Sequence, residues 1–531
     1  MIKMKCITWL LFIGGVLFTS GLWAQEQNSW TDIEYIRNSN PWLSSENAAG
    51  LDRLSTKKIS FIEAFYNKKN GDFINFYQSD NSYSFGGMTE SYYRLNKLVF
   101  YGKMKYSNFS GNNMGGSTLL DPYFSSFDIV EFADSTAGKK NMETYHLIGA
   151  FSLPVYKKLL LGVKADYKTA SYYKIKDLRH TNDLMNMETT VGLSYLLGEF
   201  ADIGSNYYFR KRVENTLYQA EGNTDQQFNS LISYGSFMGK QEKFGMDGFT
   251  GDDDNNPFVD YIHGVSFQID ILPKNKLHFF NEVGLKWRSG YFGQKSSVNI
   301  QYTEHEANSY HYQGVLVLKR LQNLHQLSVN FEREDLLNFE NSYKESTTEG
   351  GNTTVVYYGK NEVLDRVLSK ASFQYTGNIN VIDNNPEWVI NTDVSLWRRD
   401  QVATFYPYYR KQDVKQVTAG ASVKRNILHN RNMYSISLGG NYGSGSGTVK
   451  DDGSYASASE NYATLDHYLY REYEYLTTGR ASGNVEFRYT KAFPGNYRIY
   501  AEMQYSYTKA FDLTYVGDTC GKLALSIGYI F

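Results

Sequence analysis

The stretch "LALSIGYIF", Leu523 to Phe531, alternates apolar and small side chains up to an aromatic residue. Successive side chains of an extended strand point to opposite faces. Leu523, Leu525, Ile527, Tyr529 and Phe531 therefore share one face, while Ala524, Ser526 and Gly528 share the other. The same period-two pattern returns along the chain. Leu159, Leu161, Val163, Ala165 and Tyr167 stand opposite Gly162, Lys164, Asp166 and Lys168. Leu277, Phe279, Val283, Leu285 and Trp287 oppose His278, Glu282, Lys286 and Arg288, and Tyr497 to Tyr507 oppose Arg498, Glu502 and Gln504.

Length distinguishes the two places such strands occur. The commonest length of a soluble strand is about five or six residues, whereas a tilted membrane strand needs about nine to eleven. The long version dominates here. An apolar outer face is stable in lipid only if every backbone group finds a partner, so the sheet must close and its last strand must pair with its first.

The connections are asymmetric as well. Eight short links lie near Leu95–Lys97, 153–158, Leu197–Ala201, 272–276, 321–325, Asn378–Pro386, 425–432 and 493–496, and long polar excursions lie near 111–141, 214–258, 337–361 and 446–474. Short turns at one rim and long loops at the other characterise outer-membrane barrels. With both ends on the short-turn side, eight turns predict an all-β transmembrane antiparallel barrel of about 18 strands over residues 57–531. The first pair is ambiguous, because Ile62 and Ile74 fall on the wrong face despite the hairpin signal Asn70-Gly71, and dropping one or two pairs gives 16 or 14 strands.

Composition agrees. The chain has 46 Tyr, 32 Phe and 7 Trp in 531 residues, only 8 Pro, and a mean hydropathy of -0.49. Tyrosine suits the membrane–water interface. Lys3 and Lys5, the apolar run "CITWLLFIGGVLF" and "TSGLWA" read as a signal peptide over residues 1–24, cleaved after Ala24. Cys6 leaves with it, so the mature chain retains only Cys520 and no internal disulfide can form. Losing the two lysines takes 54 basic residues to 52 against 56 acidic ones, a net charge of -4, which argues against a nucleic-acid partner. Residues 25–56 are expected to lie in the periplasm or to fold inward as a plug.

The signal ending "WAQ", the aromatic alternation and the terminal Phe resemble an outer-membrane barrel of a Bacteroidota-type bacterium. Trp30, Arg37, Asn40, Pro41 and Asn47–Leu51 resemble the N-terminal segment of an uncharacterised family of such barrels. The short "NPWLSSENAAGL" is distantly similar to the plug region of long-chain fatty-acid transporters and of secretion-associated barrels. The terminal strand ending in Phe531 resembles the signal by which outer-membrane proteins are taken up by the barrel-assembly machinery, and the resemblance to the uncharacterised family brings no known activity with it.

Chemistry-bearing motifs are sparse. Asp466-His467 has no identifiable nucleophile nearby in sequence, and His305, Glu306 and His311 lack the spacing of a zinc helix and fall where a strand is expected. Asp252, Asp254 and Asn256 have the one-three-five spacing of a calcium loop, but Pro257 replaces the turn Gly and His263 the bidentate Glu, leaving a weak metal candidate. The Gly/Ser-rich stretch 441–462 is expected to be a flexible external loop with no helix after it. No cofactor is implied.

The expected function is a channel or transporter for small or amphipathic solutes, with Lys164, Asp166, Lys168, Glu282, Lys286, Arg288, Arg498 and Glu502 lining the lumen. The alternative is a non-conducting platform whose loops bind a neighbouring outer-membrane transporter or a surface lipoprotein. A hydrolase is the third reading, and the expectation is that the chain is not an enzyme.

Overall fold

The computed structural model describes residues 30–531 apart from 133, 220–227, 247, 252–255, 295–298, 348–352, 458–460 and 496. The proposed signal peptide therefore lies outside the described residues.

The alternating segments pair with their sequence neighbours into one closed antiparallel barrel of 18 strands. Its first strand, Lys58–Gly71, pairs both with the second, Asn81–Leu95, and with the last, Thr519–Ile530, from Phe61 opposite Ile530 to Gly71 opposite Cys520. No sheet edge is left in the barrel. The eight short links are all present, and each contains a left-handed residue: Asn96, Lys157, Gly198, Leu272, Leu321, Asp383 with Asn384, Asn430 and Gly495. A reversal that tight requires a positive φ, and only two of the eight supply glycine for it.

The outward face is apolar. Leu525, Ile527, Leu285, Trp287, Val163 and Tyr167 point away from the barrel as the alternation predicts, and Leu321 at one turn is 99% exposed. Ile62 corrects one expectation. It is 54% exposed on the outer face with Tyr66, and it is Phe61 and Phe65 that turn inward, so the first strand belongs to the barrel.

Strand length varies around the circumference. The strands Asn323–Thr347 and Thr353–Ile382 have 25 and 30 residues, against 12 in Thr519–Ile530. On Asn323–Thr347 charged residues interrupt the outward apolar run after Phe331, at Arg333 and Asp335, and on the 21-residue strand Asn385–Phe405 they do so after Leu396, at Arg398 and Asp400. The excursion expected over 337–361 is therefore mostly strand, and the strand Asn432–Ser454 likewise absorbs the first half of the Gly/Ser-rich stretch. Glycine and serine are accepted there because the strand is paired along its length rather than dependent on its own propensity.

At the long-loop rim the chain folds into the mouth. Short strands Asp128–Glu131, Asn229–Gly235, Met238–Lys243 and Ala463–Thr464 come from three different loops and form a second, four-stranded sheet. Contrary to expectation a helix, Asp466–Thr477, follows, with Tyr468, Leu469, Glu472 and Leu476 on its buried side. A core of Phe127, Ile129, Ile232, Tyr234, Phe249, Phe258 and Phe292 joins this inner sheet to the wall, with Phe249 stacked on Phe292 at 5.3 Å. No helix among the described residues is long and apolar enough to cross a membrane.

Candidate functional site: the interior of the barrel

Two bodies occupy the lumen, one at each end. At the short-turn end lie residues 30–54, three short helical segments each begun by an Asx cap: Asp32 accepts from the Glu34 N–H, Asn40 from Trp42 and Asn47 from Ala49. Such caps satisfy end groups that a helix this short cannot satisfy itself.

The wall is built to receive this segment. A Cβ on Gly162 would lie 1.9 Å from the Ala49 nitrogen, so glycine there lets the two backbones approach, and one on Gly192 would lie 2.1 Å from the Asn47 Oδ1, so glycine there leaves room for that side chain. Asn47 is buried and its Nδ2 reaches the Leu193 carbonyl at 2.9 Å, the Ser205 carbonyl at 3.3 Å and Gln268 Oε1 at 2.9 Å. Trp42 packs edge-on to Phe280 at 5.3 Å and donates from Nε1 to Asp270 at 3.2 Å. Arg53 bonds Asp202 at 2.8 Å, Arg37 pairs with buried Glu90, and Glu46 bonds Lys286. Burial alone would raise the Glu46 carboxyl, but the Lys286 ammonium outweighs it and holds it below the ordinary range.

At the long-loop end, the loop carrying Asp121–Asp128 dips into the lumen. The Phe124 ring lies under three guanidinium groups, Arg288 at 3.9 Å, Arg212 at 4.8 Å and Arg210 at 5.1 Å. Arg288 also donates to the Phe124 carbonyl at 2.9 Å, Arg366 to Ser125 at 3.1 Å, and Glu214 accepts from the Leu120 N–H at 2.9 Å. Arg399 on the wall holds Glu472 of the helix at 2.7 Å, and fully buried Arg410 grips Asp452 at 2.7 Å and the Ser236 carbonyl at 3.0 Å. The inner-sheet carboxyl of Asp128, buried and accepting from Ser117 at 2.6 Å, is pushed up to about 7 by its loss of water.

The eight charged residues expected to line the lumen all occupy inward positions. Most are engaged. Lys164 bonds Glu188 at 3.2 Å, Asp166 bonds His146 at 2.7 Å, Glu282 bonds His311 at 3.1 Å, Arg288 bonds Asp260 at 2.6 Å and Arg498 holds the Thr31 carbonyl at 2.9 Å. Glu502 lies 3.6 Å from Arg488, Lys286 holds Glu46, and Lys168 is half-buried.

Space remains on the opposite side. Between the N-terminal segment and the long strands lies a cavity of about 460 Å³, bounded by Tyr35, Gln313, Gln374, Asn391, Ser422 and Asn484 among others. Sequence reading missed this face because charge drew attention first; the available signal was the repeated Asn, Gln, Ser and Thr at inward positions of residues 313–437.

The motifs with catalytic or metal-binding chemistry are placed as follows. Asp466 pairs with Lys450 and lies 3.3 Å from Arg410. His305 stacks on Phe258 at 5.2 Å and bonds Asp260 at 2.7 Å, while Glu306 faces outward. Asp252 and Asp254 lie outside the described residues, and the Asn256 amide points to the Gly248 carbonyl at 3.5 Å. Glu46, Glu282 and His311 bring ligand-type atoms within 4.8 Å of one another, but the Lys286 ammonium already supplies the positive charge there.

A family model described as a family of unknown function, DUF6850, matches residues 48–531. The chain belongs to that family. No relative was found among curated proteins. Solved structures similar to this DUF6850 barrel include the ferric preacinetobactin receptor BauA of Acinetobacter baumannii, at 8% identity and a TM-score of 0.42, covering 90% of this chain and 80% of that one. The toluene transporter TodX of Pseudomonas putida has 12% identity and a TM-score of 0.31, covering 91% and 92%. The outer membrane transporter YddB of Escherichia coli has 6% identity and a TM-score of 0.40, covering 88% and 80%. At such identities the functional reading of this DUF6850 barrel rests on its own interior.

Proposed function

We propose that the chain is an integral barrel of the bacterial outer membrane, exported by a cleaved signal and inserted by the barrel-assembly machinery, that passes small solutes along one side of its lumen. The single observation that carries this is the cavity of about 460 Å³ left between the N-terminal segment and the long strands, on a face that neither interior body covers. Barrels of this size enclose more room than their own side chains fill. Here the infolded loops narrow the mouth, and the N-terminal segment occupies one side of the other end. Mixed charges on the inward faces give weak ion selectivity.

Planar-bilayer recording tests the reading. The expected result is small, infrequent conductance from the intact chain and larger, steadier conductance after removal of residues 120–127. Silence from both proteins would overturn it.

The platform reading is favoured by the strand extension past the apolar run, which holds a charged surface clear of the membrane and suits a neighbouring transporter or surface lipoprotein. Deleting loop residues from 214–258 or 446–474 separates the two, since a platform loses its partner while a passage keeps conducting.

A further inference from the structure

The cavity beside the N-terminal segment has a chemical character of its own. Of its 22 bounding residues, 13 are Asn, Gln, Ser or Thr and only four carry charge, Asp32, Glu34, Lys424 and Glu486. Three are acidic and one is basic, and the single ammonium of Lys424 is shared between Glu34 at 4.0 Å and Glu486 at 3.9 Å, while the Asp32 carboxylate caps the Glu34 N–H. What remains is a wall of side-chain amides. Some satisfy each other or the N-terminal segment, as Thr376 does with Asn391 at 2.9 Å and Gln326 with the Asn38 carbonyl at 2.7 Å. Gln313, Gln374 and Asn484 have no hydrogen-bond partner among the described residues and face the open space.

An amide offers a donor pair and an acceptor from one side chain, and a hydroxyl group is likewise donor and acceptor at once. A solute rich in hydroxyls can therefore pair with Gln313, Gln374 and Asn484 whichever way each amide is turned. An apolar solute would strip water from the same amides and leave them unpaired, at about 1–3 kcal/mol each. An anion would meet the carboxylates of Asp32, Glu34 and Glu486 with only Lys424 to offset them, and Gln313, Gln374 and Asn484 carry no charge of their own to hold a cation. Tyr35 adds an aromatic ring at the same cavity, a surface for the C–H face of a sugar ring. A volume of about 460 Å³ falls within the ~300–1,000 Å³ of ordinary small-molecule sites.

The geometry points to a binding site for a neutral, polyhydroxylated solute, a short uncharged oligosaccharide, in the cavity between residues 32–44 and the inward amides Gln313, Gln374 and Asn484. This assignment deepens the proposed passage and rests on it for its physiological sense, though binding itself can be measured separately.

The test is titration calorimetry of the full chain in detergent with maltotetraose, with its charged counterparts tetragalacturonate and tetraglucosamine, and with toluene. Maltotetraose is expected to bind, and each of the other three at least tenfold more weakly. The triple variant Gln313→Leu/Gln374→Leu/Asn484→Leu should lose at least tenfold in maltotetraose affinity. Gln374→Glu, which keeps shape and adds charge, should weaken tetragalacturonate further than it weakens maltotetraose. Retained heat-modifiable mobility on gels certifies that each variant is folded.

No heat with maltotetraose, or tighter binding of either charged tetramer or of toluene, overturns the assignment. Potassium chloride conductance, recorded in parallel, tells the two claims apart. Conduction without sugar binding leaves the passage and removes this ligand, whereas sugar binding without conduction keeps the ligand and removes the passage.

Discussion

Replacing Asn47 with leucine should release the N-terminal segment from the wall, and the size of the effect follows from the contacts. The Asn47 side chain accepts from the Ala49 N–H at 3.0 Å, and its two Nδ2 hydrogens are shared among three acceptors, the Leu193 and Ser205 carbonyls and Gln268 Oε1. At about 1 kcal/mol net for the cap and for each of the two donated hydrogens, their loss amounts to about 3 kcal/mol, a factor of roughly 10² in the attached population. Leucine also cannot follow the close approach that Gly192 permits, since even the present Oδ1 lies 2.1 Å from the position of a Cβ there. The wall itself stays paired, so the barrel should keep its heat-modifiable mobility. The assay is maleimide labelling of a cysteine placed at exposed Glu34, in a Cys520→Ser background, together with single-channel recording. Faster labelling and higher conductance in Asn47→Leu are expected. Unchanged labelling, with the segment still protected from protease, would refute the view that this asparagine holds the segment in place.

Other outcomes follow from the same structure. Phe124→Ala removes the ring shared by Arg210, Arg212 and Arg288, and at about 0.5–2 kcal/mol per cation–π contact it should increase open time at least several-fold in bilayer recordings; no change would mean the loop is held elsewhere. Asp128 has its pKa raised from 3.8 to about 7 by burial, so the folded chain holds the proton longer than the unfolded one; the resulting destabilisation is absent below about pH 4, grows up to about pH 7 and is complete above it. Asp128→Asn should therefore slow proteolysis of the inner sheet at pH 8 and leave it unchanged at pH 4, and equal effects at both pH values would count against this. The Glu474 carboxylate accepts from the N–H groups of Thr514, Tyr515 and Val516 at 2.6, 2.5 and 2.8 Å, so Glu474→Ala should expose residues 511–518 to cleavage by about 2–3 kcal/mol of local stability without altering the barrel. Leu525→Arg on the outer face should cost about 2–4 kcal/mol of folding free energy in lipid, read by urea titration in vesicles.

The barrel was legible in the sequence because two of its rules are local. Alternation shows which face a residue takes, and Asn96, Gly198, Asn430 and Gly495 mark turns with residues suited to positive φ. Leu272 and Leu321 carry no such mark, yet their turns could be placed from the flanking strands. Where strands end was less visible: residues 337–347 and 353–361 are polar, and polarity is also what a strand rising clear of lipid presents. The helix Asp466–Thr477 was hidden because its buried stripe, Tyr468, Leu469, Glu472 and Leu476, includes a glutamate whose partner is Arg399 on a distant strand. The inner sheet could not be read, since it arises from residues brought together only by closure, and of the cavity only the inward amides and hydroxyls of residues 313–437 were visible, not the space they bound. Alternation shows that Lys286 and Arg288 share the face opposite Leu285 and Trp287, but sequence cannot show that their charge is engaged by Glu46 and Asp260.

The four-stranded sheet in the mouth also orders events in time. Its members come from loops separated by more than 300 residues, Asp128–Glu131 at one extreme and Ala463–Thr464 at the other, so the entropy of bringing them together falls only when the cylinder has already drawn its ends into register. By that entropy argument the inner sheet is the last piece to set, and a barrel caught between the two steps would have a closed wall without the inner sheet across its mouth.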